Sequence, residues 1–207
     1  MKVAILGGTG KLGLGFAIRL FQTGHEVMIG SRDAAKARDA AATVSEKVKS
    51  GTNPEAAAWC DAAVVSVPYQ SHNALLTPLK RDLEGKMIID ATVPIDPTNM
   101  LQTRTESGKS AAEETADIVG NADVFGAFHT ISHRILRNPE SRNHDVLIAG
   151  PDTRKSQIID LVRSMNLRPV NAGPLSVVPH LERMTVLMLS INKANKVKES
   201  GIQITGV

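Results

Sequence analysis

The sequence predicts an α/β fold: a doubly wound, mainly parallel sheet with helices on both faces and a small helical extension at the C-terminus. Three observations predict it. Short apolar runs alternate with helix-period segments along most of the chain, the pattern of a parallel sheet covered on both sides. Runs such as Ala62–Val67 are nearly continuous in apolar residues, as strands buried on both faces require. A glycine-rich turn, residues 7–13, separates the first apolar run from the first helical segment.

The elements follow in order. Lys2–Leu6 reads as the first strand, Lys11–Thr23 as a helix stopped at Gly24-His25, and Glu26–Gly30 as the second strand. Ala-rich Asp33–Lys49 reads as one helix, Ala62–Val67 as the third strand, and Asn73–Leu83 as a helix. Met87–Ala91, Val124–Phe128 and Val146–Ala149 read as further strands, with a helix over Ser110–Val119. Asp152 is expected to N-cap a helix through Met165, since its carboxylate can accept the free first-turn amides. Arg168–Asn171 is a last strand, broken by Ala172-Gly173-Pro174, and a final helix begins near Ser176–Pro179 and runs to about Lys198. Leu181, Met184, Met188 and Ile191 share one face of that helix, which reads as core or subunit contact and points to a homodimer.

Length and composition narrow the function. The chain of 207 residues suits one large domain with an extension: residues 1–150 as a dinucleotide-binding domain, and residues 151–207 packing on it and closing the cleft. No repeat or linker marks a firm boundary. A net charge of +3, 3% aromatic residues and basic residues scattered along helices argue against a nucleic-acid partner. The single cysteine, Cys60, excludes an internal disulfide and a Cys-rich metal site, and fits a reducing, cytoplasmic setting. Glycines break the N-terminal apolar run, so it does not read as a signal peptide, and no stretch reaches the roughly 20 apolar residues of a membrane helix.

Gly8, Gly10 and Gly13 form G-x-G-x-x-G between a strand and a helix, the context in which this motif makes a Rossmann-type dinucleotide site. Gly8 permits the tight turn, Gly10 lets a pyrophosphate approach the backbone, and Gly13 lets the helix pack on the strand. The diphosphate then meets free amides and the positive end of the helix dipole. At the second strand tip, where NAD-binding proteins usually carry a carboxylate, stand Ser31 and Arg32, with Lys36 one helical turn on. A hydroxyl, a planar guanidinium and an ammonium suit a 2′-phosphate, so NADP(H) is expected rather than NAD(H). Asp33 is read as the cap of the next helix.

The nicotinamide is expected at three further strand tips: Val67-Pro68-Tyr69, Thr92-Val93-Pro94-Ile95 and Phe128–His133. They are mostly apolar, and no Ser/His/Asp or Cys/His set is assembled. No residue is assigned to acid–base or nucleophilic catalysis; His129 and Ile131 are candidate positioning residues. The pair His129/His133 lacks a third ligand and sits on an expected loop, so no metal site is expected. Hydride transfer between two rings needs alignment and water exclusion more than a general acid. An NADPH reductase of a flavin, imine or quinone, and an NADP(H) sensor without turnover, remain as alternatives.

The chain resembles the NADPH-dependent reductases of coenzyme F420, a 5-deazaflavin. The matching stretches are GGTGKLG at 7–13, GHEVMIGSR at 24–32, VSVP at 65–68, TVP at 92–94, AFHTIS at 127–132, RPVNAGPL at 168–175 and SGIQI at 200–204. The N-terminal motifs are also similar to those of pyrroline-carboxylate reductases and the cytosolic domains of membrane ferric reductases, so the later stretches carry the distinction. The resemblance implies hydride exchange between nicotinamide C4 and deazaflavin C5, with F420 as co-substrate. It implies Thr9, Gly10, Lys11 and Leu12 at the diphosphate and Ser31, Arg32 and Lys36 at the 2′-phosphate. Tyr69, Asn73, Ile95 and His133 would line the rest of the NADP site, and Ser200 with its neighbours Gly201 and Ile202 would touch the deazaflavin. Two positions depart from the family pattern: Lys11, where asparagine is common, and His133, where a small residue is common.

Overall fold

Strands and helices alternate along a chain whose computed structural model describes residues 1–142 and 144–207. In order these are β1 (Lys2–Leu6), α1 (Lys11–Gln22), β2 (Glu26–Ser31), α2 (Ala34–Ala42), β3 (Lys49–Thr52), α3 (Asn53–Trp59) and β4 (Ala62–Val65). Then come α4 (His72–Leu76), α5 (Lys80–Leu83), β5 (Met87–Asp90), β6 (Ile95–Asp96), β7 (Asn99–Thr103), α6 (Ala111–Val119) and β8 (Asp123–Ala127). The chain closes with α7 (His133–Arg137), β9 (Asp145–Ala149), α8 (Lys155–Ser164), β10 (Arg168–Gly173) and α9 (Val178–Ala194).

Eight strands form one sheet in the order β10-β9-β8-β5-β4-β1-β2-β3, and β6 and β7 form a separate hairpin. All pairings in the large sheet are parallel except β8 with β9, which is antiparallel. The chain winds outward from β1 to β3, returns to β4 beside β1, and winds the other way. That reversal opens a crevice at the carboxyl ends of β1 and β4, where a doubly wound sheet binds its ligand.

Alternation along each strand supplies two cores. Val3 and Ile5 of β1, with Val64 and Ile89, face the core that contains Phe16 and Leu20 of α1. Ala4 and Leu6, with Val65 and Ile88, face the core that contains Leu76, Leu79 and Leu181. Side chains two apart share a face, so every central strand is buried on both sides. On the first face α1 packs tightly on α7. A Cβ on Gly15 would lie 3.0 Å from Leu136 Cβ, and the buried Arg19 guanidinium donates to the carbonyls of Leu136 (3.0 Å) and Asn138 (2.6 Å).

Several expected elements are corrected. The helix expected over Asp33–Lys49 stops at Ala42, because Thr43 turns its hydroxyl onto the Ala40 carbonyl and the chain then leaves to make edge strand β3. Pro78 splits the expected Asn73–Leu83 helix into α4, a 3₁₀ turn and α5. Asp152 does not cap α8. The helix starts after Arg154, whose φ of 54° marks a left-handed turn, and the Asp152 carboxylate lies 3.8 Å from Lys155 Nζ instead. The final helix ends at Ala194, and Lys196 turns left-handed at φ 53°. Helices α3 and α7 and the β6–β7 hairpin are additions to the expected set. No helix among the described residues is long and apolar enough to cross a membrane.

Candidate active site

The glycine loop leaves β1 at Leu6 and enters α1 at Lys11, with Gly10 as N-cap. A Cβ on Gly13 would fall 2.6 Å from Gly8 Cα, so the helix start and the turn touch backbone to backbone. A Cβ on Gly10 would meet nothing within 4 Å, so its side faces open space. No side chain caps α1 and its first turn carries no acid. The first amides of this 12-residue helix therefore have no internal acceptor and aim at that space, a fit for a diphosphate.

At the β2 tip, Asp33 is engaged by its own helix: its carboxylate accepts from Ala35 N (2.9 Å) and Lys36 N (3.3 Å). Ser31 Oγ accepts from Asp33 N at 3.2 Å, and the Ser31 side chain is largely buried. Arg32 and Lys36 stand exposed, without an ion pair among the described residues. The Asp33 carboxylate is thus engaged by the start of α2, and the Glu55 carboxylate at the neighbouring β3 tip by Thr52.

A cleft of about 570 Å³ opens beside the loop. Gly10, Lys11 and Leu12 form one end, with Val67 and Pro68 after β4, Val93 and Ile95 after β5, and the stretch from Phe128 to Arg134 after β8. His129, Ile131, His133 and Ser200 all lie on its lining. Tyr69 and Asn73 do not: the Tyr69 hydroxyl donates to Glu114 (2.9 Å), and Asn73 is exposed on α4. Gly8, Thr9 and Gly13 sit within the loop behind the lining. Cys60 caps the end of α3 deep in the second core, where burial pushes its thiol upward in pKa.

Phe128 shapes the β8 tip. It is a buried aromatic residue at φ 67°, held by an edge-to-face contact with Phe16 at 4.9 Å between centroids. Bulky residues rarely adopt that region, and here the turn carries the following residues into the cleft. His129 is buried, and neither ring nitrogen has a partner among the described residues. Burial lowers its pKa to about 4 despite an opposing pull from Asp90, so the ring is neutral. Thr92 Oγ1 and Asn192 Oδ1, on the same cleft, are also buried without partners among the described residues. Buried polar atoms normally find partners, so this trio fits a ligand with a polar edge.

Helix α9 supplies a wall that reading the sequence did not find. Thr185, Met188 and Asn192 line the cleft, and Thr185 Oγ1 donates to the His129 carbonyl at 2.8 Å. The signal was present: these positions fall at i, i+3 and i+7, a helical face that carries two polar residues. Of the stripe expected to be one face, Leu181 and Met188 are buried but Ile191 is exposed.

Beneath the cleft, Asp90 at the end of β5 accepts from Thr92 N (2.8 Å) and Thr115 Oγ1 (2.6 Å), and pairs with His72 Nε2 (2.8 Å). Burial opposes both charges, but their mutual bond prevails: His72 is raised and Asp90 lowered. This buried pair anchors Thr92 on the cleft lining from below. No Cys, Asp, Glu or Tyr lies on the lining, and no group of three or more His, Cys, Asp or Glu among the described residues is placed to hold a metal.

Residues 2–94 match the family model described as NADP oxidoreductase coenzyme F420-dependent. The chain is 38% identical to the F420-dependent NADP reductase of Methanothermobacter marburgensis, over all of this chain and 99% of that one. It is 31% identical to the protein of the same name from Methanocaldococcus jannaschii, again over 100% and 99%. Its fold superposes on the crystal structure of a candidate F420-dependent NADP-reductase from Arthrobacter sp. FB24, with a TM-score of 0.88, 22% identity and 99% of each chain covered. A chain that aligns end to end with these reductases and carries the family's glycine loop at an uncapped helix start is a member of the coenzyme F420-dependent NADP oxidoreductase family.

Proposed function

We propose that this chain exchanges hydride between NADP(H) and the 5-deazaflavin F420. The observation that carries the reading is the cleft itself: a phosphate-ready helix start at one end, apolar strand tips along it, and polar atoms unpartnered among the described residues at the other, with no Cys, Asp, Glu or Tyr on the lining. Gly8, Thr9, Gly10, Lys11, Leu12 and Gly13 hold the diphosphate, and Ser31, Arg32 and Lys36 hold the 2′-phosphate. Val67, Pro68, Val93, Ile95 and His133 wall the nicotinamide portion, and Ser200 meets the deazaflavin. Tyr69 and Asn73, outside the lining, act through the α4 end of that wall.

When both are bound, the nicotinamide and the deazaflavin supply the hydride chemistry, C4 to C5. The chain's part is to hold the rings and keep water out. His129, neutral and fixed through its carbonyl by Thr185, donates from one ring nitrogen and accepts at the other. Ile131 packs beside it as an apolar positioning contact.

The protein acts in the cytoplasm as a homodimer. Leu187 of α9 is 57% exposed, and Met100 and Leu101 of the β6–β7 hairpin are each 64% exposed, next to α9. Light scattering at micromolar concentration checks this, and a monomer mass contradicts it. The function is tested by NADPH oxidation with a 5-deazaflavin, FMN and FAD offered in turn. Turnover is expected with the deazaflavin; turnover with FMN or FAD alone overturns the reading.

A further inference from the structure

A buried polar group under the cleft takes no part in the hydride chemistry as described so far. Asp90, His72 and Thr115 are fully buried and come from three elements: the β5 tip, the start of α4 and the middle of α6. Asp90 Oδ2 meets His72 Nε2 at 2.8 Å and accepts from the Thr115 hydroxyl at 2.6 Å. Its other oxygen, Oδ1, accepts from Thr92 N at 2.8 Å. The Tyr69 ring covers the group, stacked on His72 at 6.0 Å between centroids. The Tyr69 hydroxyl donates to Glu114, which also accepts from Ser107 Oγ. Tyr69 therefore serves the site from outside its lining.

A buried pair of opposite charges rarely stabilises a fold more than apolar side chains of the same size. What this pair does is fix one residue. Thr92 lies on the cleft lining, and its amide is held from below by Asp90. Its Oγ1 is buried and has no partner among the described residues, although a buried hydroxyl normally bonds. A ligand in the cleft is where that bond goes. The strand order says which part of the ligand. Ser66 N donates to Leu6 O and Ala91 N to Val65 O, so the tips of β1, β4 and β5 stay laddered together. The β5 tip is thus two strand spacings, about 10 Å, from the glycine loop on β1. A ring joined through a ribose to a diphosphate over the β1 tip comes to lie there. Val67, Pro68 and Val93 on the same tips are apolar. Nicotinamide matches that wall: a flat apolar ring with one polar group, its carboxamide.

We propose that Asp90 is a positioning residue for the nicotinamide: braced by His72 and Thr115, it holds Thr92 so that the Thr92 hydroxyl donates to the carboxamide carbonyl. Thr92 touches the cofactor, and Asp90 acts through it. The proposal rests on the dinucleotide part of the reductase reading and is independent of the hydride acceptor.

The test compares NADPH with 2′-phospho-ADP-ribose, which keeps the diphosphate, both riboses and the 2′-phosphate but lacks the nicotinamide. Calorimetry on the full chain reads both affinities in the wild type, Thr92→Val, Asp90→Asn and the double variant, and urea unfolding checks each fold. Thr92→Val removes one unpartnered hydroxyl at nearly constant shape, so its urea midpoint should match or exceed that of the wild type. It should nevertheless bind NADPH about fivefold more weakly, as for one lost hydrogen bond. Asp90→Asn keeps an oxygen for Thr92 N but turns an amide toward His72 and Thr115, and should weaken NADPH about threefold. The double variant should bind NADPH no more weakly than Thr92→Val alone, since Asp90 acts through that hydroxyl. The ring-less ligand should bind all four proteins alike. If Asp90→Asn does not fold, His72→Gln, which keeps a donor for Asp90, takes its place in the cycle. Unchanged NADPH affinity in Thr92→Val overturns the proposal, as does equal weakening of both ligands. Losses that multiply in the double variant overturn it too, because a merely structural role acts independently of the hydroxyl. A wild type that binds neither ligand removes the dinucleotide reading and the proposal with it. The expected pattern in a protein that reduces no 5-deazaflavin leaves Asp90 and Thr92 assigned and removes the acceptor reading alone.

Discussion

The two ends of the cleft are built in different ways. At the glycine-loop end, the proposed diphosphate site, the chain offers backbone: an uncapped helix start, a turn packed glycine on glycine, and open space over Gly10. At the ring end it offers side chains gathered from distant segments: His129 and Thr92 from two strand tips, and Thr185 and Asn192 from α9. Backbone recognition needs only a local conformation and tolerates no added bulk. Side-chain recognition needs three elements packed in register and tolerates change at any one position, because the others still exclude water. Substitutions should therefore be severe and selective at the first end, graded and pH-dependent at the second.

The largest expected effect is at Gly10. Its φ of −79° suits any residue, and a Cβ meets nothing within the protein, so Gly10→Val should fold normally. The side chain would fill the diphosphate space, and NADPH affinity should fall by about two orders of magnitude or more, like losing several charge-assisted bonds. Circular dichroism confirms the fold and calorimetry reads the binding. Ordinary affinity in a folded variant would mean the two ends do not differ as described.

Next comes Arg32→Ala. Removing an exposed guanidinium from the β2 tip should weaken NADPH by about 1.5–3 kcal/mol while NADH binding stays the same. Equal weakening of both cofactors would place Arg32 elsewhere than the 2′-phosphate.

The third effect is at the ring end, and its effect on turnover is the smallest of the three. His129 has a folded pKa of about 4, below the roughly 6.5 of an exposed histidine. The unfolded chain therefore binds the extra proton between these values. The stabilisation is complete above about pH 6.5 and is lost as pH falls toward 4, by about 3 kcal/mol. His129→Leu should flatten that part of the acid slope in urea unfolding at pH 4.5 and 7.5, and should slow turnover only modestly. Parallel curves for the variant and the wild type would deny that the ring is buried and neutral.

The same contrast explains what could be read from the sequence. The glycine loop, the start of α2 at the β2 tip and the positions of the central strands along the chain were legible because each depends on a few adjacent residues. Asp33 as a cap was legible for the same reason. The edge strand β3 was not, since Lys-Ser-Gly-Thr has no apolar pattern and forms only by pairing with β2. Asp152 looked like a cap, but the left-handed turn at Arg154 set the helix start two residues late. The α9 wall was hidden because Thr185 and Asn192 become site residues only when the helix packs over the β8 tip. The stripe of Leu and Met around them reads as ordinary core.

The central claim is that the cleft brings two rings together for direct transfer, with no covalent intermediate and no proton relay on the lining. NADPH deuterated at the transferable C4 position tests it most directly, in a single turnover with a 5-deazaflavin. The label should appear on C5 of the reduced deazaflavin, a carbon that does not exchange with water, and not in the solvent. Complete loss of the label to solvent would contradict direct transfer and would require a carrier between the two rings.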